Sequence, residues 1–166
     1  MPKFQRIAVD TNYILDLGLE DESALASLEI LVERSLEARF VVTPTVVEEL
    51  AWQHFHHPDE AMRELAMQAA LRAQEQFGFT PIPMEAVRKG IAERIAESLR
   101  GPDLVPFQEK NDSLIWAEAC LLDCDILVTN DRHLTGVEIA LVQPLLEEYG
   151  TCPIPIWPKK IVMEFG

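Results

Sequence analysis

The chain has 166 residues, 48% of them apolar and 25% charged, with a formal net charge of −14. That length suits one domain with a single core, and the composition excludes a disordered or fibrous chain. The acidic balance excludes the broad basic surface with which proteins grip long stretches of nucleic-acid backbone. Any nucleic acid would therefore be held locally, through metal ions, or on a surface shared by two subunits.

No run approaches the roughly 18 apolar residues needed to cross a membrane. The opening Met1-Pro2-Lys3-Phe4-Gln5-Arg6 lacks the apolar stretch and cleavage site of a signal peptide, so a cytoplasmic location with no membrane association is expected. The three cysteines, Cys120, Cys124 and Cys152, match neither a disulfide framework nor a zinc site. Cys120 and Cys124 read as small buried apolar residues.

Strand-like and helix-like segments alternate, the pattern of an α/β domain with a mainly parallel sheet. The first strand is Arg6 to Val9, ending at Asp10. Ser23 to Ala38 reads as a helix capped by Ser23, with Leu25, Leu28, Leu31, Val32 and Leu36 on one face. Phe40-Val41-Val42 forms a second strand, and Pro44 opens a helix that Pro58 stops. Asp59 caps a helix running to about Phe77. Phe79 to Ile82 is a short strand near an edge, because Pro81 cannot donate to a ladder. Glu85 to Leu99 is helical and ends at Gly101-Pro102. A loop leads to a helix beginning near Asn111, followed by a strand from Asp125 to Thr129. Glu138 to Val142 is expected to be the last strand. Residues 1–143 form the domain, and the proline-rich 144–166 is an extension packing on it through Ile154 to Trp157 and Ile161 to Phe165.

In an open parallel sheet, ligands bind outside the carboxyl ends of the strands. Asp10 follows the first strand and Asp131 follows Ile126-Leu127-Val128. Asp112 sits in the first turn of the helix feeding that strand, and Glu49 in the first turns of the helix after the second strand. Four carboxylates distant in sequence would thus meet at one rim. Like charges in a partly dry site repel, and a divalent cation removes the repulsion. Oxygen-only ligation suits Mg²⁺ or Mn²⁺, ions that activate water and stabilise a leaving oxygen. Taken singly, Asp10 is explained equally well as a cap of the next turn, Asp112 also fits a first-turn helix acid with Asn111 as its cap, and Asp131 fits a turn residue. Glu48 has the capping-box spacing from Thr45, whereas Glu49 lies about 100° further round and has no such structural task. Glu49 is therefore the expected ligand. Arg132 and His133 either contact a phosphate or form an exposed loop pair.

Four segments carry a resemblance: Ile7-Ala8-Val9-Asp10-Thr11-Asn12, Thr43-Pro44-Thr45-Val46-Val47-Glu48-Glu49-Leu50, Asn111-Asp112-Ser113-Leu114-Ile115-Trp116-Ala117-Glu118-Ala119, and Asp125-Ile126-Leu127-Val128-Thr129-Asn130-Asp131-Arg132. In content and order they resemble the PIN-domain family. The resemblance implies a three-layer α/β/α sandwich with strand order 3-2-1-4-5. It implies Mg²⁺- or Mn²⁺-dependent hydrolysis of single-stranded or structured RNA by Asp10, Glu49, Asp112 and Asp131. Thr11, Asn12, Thr129, Asn130 and Arg132 would support those acids or contact phosphate. Many small members are VapC-type toxins of type II toxin–antitoxin pairs, which implies a homodimer and a protein antitoxin with a basic side chain for the acidic pocket. The competing reading is a non-catalytic PIN-fold binding or scaffold protein. An Asp-x-Asp phosphotransferase is disfavoured by Asn12.

Overall fold

The computed structural model describes residues 3–166. In chain order the elements are β1 (Arg6–Val9), α1 (Thr11–Gly18), α2 (Glu22–Arg34), β2 (Arg39–Val42), α3 (Pro44–His56), α4 (Glu60–Glu75), β3 (Thr80–Pro81), α5 (Ala86–Leu99), α6 (Lys110–Leu121), β4 (Ile126–Val128), α7 (Arg132–Thr135), α8 (Ile139–Leu146), β5 (Ile154–Ile156) and α9 (Pro158–Phe165). The strands form one five-stranded sheet, ordered β3-β2-β1-β4-β5, and every pairing is parallel. Ile7 stands opposite Phe40 on one side and Ile126 on the other.

Ile7, Ala8, Val9, Leu127 and Val128 are all buried completely. Successive strand residues point to opposite faces, so both faces of the sheet are covered by helices. The result is a three-layer α/β/α sandwich with the expected strand order. Both edges carry proline. Ile82 donates its N–H to Val42 and Ile154 donates to Asp125. Pro81 and Pro155, one residue before and one after those donors, therefore have their nitrogens facing away from the sheet, where no ladder bond is lost.

The structure corrects several local expectations. The last strand is β5, and the segment Glu138 to Val142 is helical instead, its Ile139, Leu141 and Val142 belonging to α8. An unforeseen helix, α1, follows Asp10 directly. The cap of α2 is Asp21, which accepts the N–H of Ala24, and not Ser23. Ala24, Leu28 and Leu31 bury the face of α2, while Val32 and Leu36 remain exposed. Asp59 does cap α4, accepting the N–H of Ala61. Cys120 and Cys124 are free and buried.

Two contacts position the functional rim. α1 lies against α4, and a side chain at Gly18 would stand 2.6 Å from the Cβ of Ala69. The missing Cβ is what lets these helices approach. Within α6, Trp116 is completely buried and donates its indole N–H to the Pro153 carbonyl at 2.9 Å. That bond ties the segment leading into β5 to the helix carrying Asp112.

Candidate active site

Because β1 and β4 are neighbours in register, their carboxyl ends open on the same rim. Asp10 donates its backbone N–H to Val128 at 3.0 Å, at the point where both strands end. Its side chain caps α1, with Oδ1 accepting the Thr11 N–H at 2.7 Å. Oδ2 accepts the Thr129 hydroxyl at 2.7 Å. Since that hydroxyl has one proton, Thr129 Oγ1 accepts in turn, taking the Asp131 N–H at 3.0 Å. Thr129 thus holds Asp10 and the backbone of Asp131 together.

Asp131 caps the short α7 by accepting the His133 N–H at 2.8 Å. Asp112 lies in the first turn of α6 and faces Asp131, close enough for the two carboxyls to interact. Burial, first, and then the facing Asp131 carboxyl and the charges of Asp10 and Glu109 raise Asp112 well above the usual carboxylate range. Asp10 is pushed up to about 6, mainly by burial, with Glu49 and Asp131 adding repulsion and the Thr129 and Thr11 bonds opposing it.

Glu49 joins this group through Thr11, whose hydroxyl donates to Oε1 at 2.6 Å. Asn111 donates to Oε2 at 3.3 Å. The capping box expected for Glu48 is absent. Thr43, not Thr45, is the N-cap of α3, and Glu48 stands in solvent 3.7 Å from Lys89. Asn12 accepts the Asn130 N–H at 3.1 Å and lies 3.4 Å from both Asp10 and Thr129. Arg132 is exposed and lines a groove with Asp103, Leu104 and Glu138.

Three acids and an amide escaped the sequence reading. Asp16 accepts the Asn130 amide at 2.6 Å and extends the acidic rim along α1. Its proton affinity is raised, chiefly by burial. Glu109 lies 3.6 Å from His133. Glu118 is 2% exposed within α6. The available signal for Glu118 was a lone acid inside the otherwise apolar Ile115 to Cys120. Asn111 was read only as a cap. No local pattern marks Asp16, because α1 itself was not expected.

The donor set is oxygen alone, which fits a hard divalent cation better than zinc. Asp112, Asp131 and Asp10 crowd acidic side chains close enough to repel one another, a repulsion that a divalent cation would offset. Among the described residues, no three His, Cys, Asp or Glu side chains are grouped so that together they could hold a metal ion as they stand. The rim is therefore an open set of hard oxygen donors.

No curated protein matches the chain in sequence. One chain of the crystal structure of VapBC2 from Rickettsia felis, bound to a DNA fragment from its promoter, superposes with a TM-score of 0.61 at 16% identity, covering 92% of this chain and 98% of that one. At that identity the likeness is one of fold. No helix among the described residues is long and apolar enough to cross a membrane. The PIN domain model matches residues 7–139, most of the chain and the whole of the carboxylate rim, so this protein belongs to the PIN-domain family.

Proposed function

We propose that the chain is a Mg²⁺- or Mn²⁺-dependent endoribonuclease that hydrolyses single-stranded or structured RNA. PIN domains are generally nucleases, and the observation that carries the reading here is the crowding of Asp112, Asp131 and Asp10. Burial and mutual repulsion raise the proton affinity of Asp112 and Asp10. An arrangement that costs stability in this way is expected where a cation and a phosphodiester are to be received.

Asp10, Asp112 and Asp131 would hold the ion directly, and Glu49 would complete the set from the α3 side. When bound, the ion supplies Lewis acidity to a water nucleophile and offsets charge on the departing oxygen. The chain does the positioning. Thr129 orients Asp10 by donating to it, and Thr11 and Asn111 orient Glu49. Asn12 and Asn130 fix the loop from which Asp131 projects. Arg132 and His133 follow Asp131 directly in sequence and would meet a phosphate oxygen.

By likeness to the VapBC complex, a type II toxin is the favoured biological setting. It carries a homodimer, a cytoplasmic location and a protein antitoxin that places a basic side chain among the acids. The reading is tested by incubating mixed single-stranded RNA with the purified protein in Mn²⁺ or EDTA, beside Asp10→Asn. Cutting is expected in Mn²⁺ alone and only with the parent. Equal cutting by Asp10→Asn would overturn it. Absence of both cutting and Mn²⁺ binding would favour a PIN-fold scaffold.

A further inference from the structure

Beside Glu49 lies a cleft of about 600 Å³ that none of the chemistry above uses. Glu49 and Asn111 line it, and one helical turn further along α3 so do Trp52 and Gln53, with His57 and Met62 nearby. Trp52 is 54% exposed, although α3 buries Val46 and Leu50 elsewhere on its surface. A large aromatic left half in water on a helix that carries a site acid is not explained by packing.

Three properties of the cleft specify what it takes. First, Trp52 offers a flat face for stacking, with the His57 ring set edge-on to it at 6.4 Å between centroids. Second, the Gln53 side-chain oxygen is screened from water and has no hydrogen-bond partner. A buried amide oxygen left unpaired costs the protein free energy, which a rotation of the side chain toward a ligand in the cleft would recover. Third, His57 Nδ1 accepts the Asp59 N–H at 3.0 Å, so in the neutral ring the proton sits on Nε2 and is available to an acceptor. The acidic side chains lining the cleft are Glu48 and Glu49, and no Lys or Arg lines it. A phosphate would be repelled there, whereas a neutral, flat, hydrogen-bonding group would not.

We infer that this cleft is a nucleobase subsite, in which an unpaired base stacks on Trp52 and presents its edge to Gln53 while the adjoining phosphodiester lies over the carboxylates. The inference rests on the ribonuclease reading and deepens it. It makes Trp52 and Gln53 substrate-positioning residues and accounts for local RNA capture by a chain of net charge −14. Base stacking tolerates every base, so Trp52 gives affinity for unpaired strands and Gln53 gives preference among bases.

The test uses the full chain with Trp157→Phe as background, which leaves buried Trp116 and exposed Trp52 as the only fluorophores of that type. Adenosine and cytidine, which carry no phosphate, are titrated in while tryptophan emission is followed. RNA cleavage is then measured for that protein, for Trp52→Leu and for Trp52→Phe. Saturable quenching is expected, absent in Trp52→Leu. KM should rise about ten-fold in Trp52→Leu, less in Trp52→Phe, with the Mn²⁺-induced thermal shift unchanged. Gln53→Ala should alter the ratio of quenching by the two nucleosides. A background protein that cuts RNA, with no quenching and an unchanged KM in Trp52→Leu, would overturn the subsite while leaving the nuclease intact. Saturable quenching in a protein that cuts nothing would uphold the subsite and remove the nuclease. Dissociation of an oligomer by Trp52→Leu, without any nucleoside response, would assign the residue to a protein interface and also overturn the proposal.

Discussion

Glu118 on α6 grips the start of α3 through Thr45: Oε1 accepts the Thr45 backbone N–H at 3.0 Å and Oε2 accepts its hydroxyl at 2.8 Å. Thr43 makes no side-chain cap bond to α3, so an acid from another helix does what a local cap does elsewhere. The contact joins the helix carrying Asp112 to the helix carrying Glu49. Glu118→Ala leaves the Thr45 N–H without its partner and opens a void, and is expected to cost about 2–4 kcal/mol in urea unfolding. Glu118→Gln keeps an acceptor and removes a charge whose burial raises its proton affinity, so it should cost little at neutral pH. RNA cleavage should fall in the alanine variant and largely survive in the glutamine one.

Metal-free protein is expected to lose stability as pH rises. Asp10 has an ordinary value of 3.8 and is pushed up to about 6 when folded. The folded state therefore holds the proton more tightly, a contribution fully present below about 4 and lost as pH rises through about 6. Asp112, Asp16 and Glu118 are shifted in the same direction. In EDTA the urea midpoint should thus fall between pH 5 and 7.5. Asp10→Asn should be roughly 1–3 kcal/mol more stable than the parent at pH 7.5, while cutting no RNA. A midpoint that is flat or rises over this window, in the parent and the variant alike, would contradict the assignment.

Cation binding should release protons. Asp112 holds its proton beside Asp131, and an ion must displace it. The thermal shift caused by Mn²⁺ is expected to grow from pH 6 to pH 8, with proton release detectable in weakly buffered calorimetry. Asp112→Asn should flatten the pH dependence and weaken binding by about ten-fold or more.

Removal of residues 151–166 should prevent folding. It takes away β5, α9 and the fully buried Ile161, exposes the β4 edge, and leaves the Trp116 indole N–H without the Pro153 carbonyl. The truncated chain is expected in the insoluble fraction, whereas a chain lacking only Phe165 and Gly166 should stay soluble with a small loss in melting temperature.

The sheet was legible where the sequence is simplest. Ile7 to Val9 and Ile126 to Val128 are short apolar runs buried on both faces, which is how interior parallel strands read. The final strand was displaced because Ile139 to Val142 has a strand-like composition, while Ile154-Pro155-Ile156 contains a residue that argues against strands. Only the edge position makes Pro155 acceptable, and edge position is a property of topology. For the site, Asp10, Asp112 and Asp131 stand out as acids at element ends. The grip of Glu118 on Thr45 and the bond between Asp16 and Asn130 join residues 73 and 114 positions apart. Their pairing follows from the packing of helices on the sheet, which no local pattern encodes.

The central place of β1 in the sheet has a consequence for synthesis. The strand made first obtains β2 as a neighbour early, but its other edge stays open until Ile126–Val128 emerges. Pairing over that distance is slow to form, because the loop must close before any contact rewards it. Asp10 therefore waits on the ribosome without Asp112, Thr129 or Asp131 until more than a hundred further residues have been added. A nascent chain that has not reached Asp131 has no assembled carboxylate rim, so whatever chemistry the rim carries cannot begin before that segment has emerged.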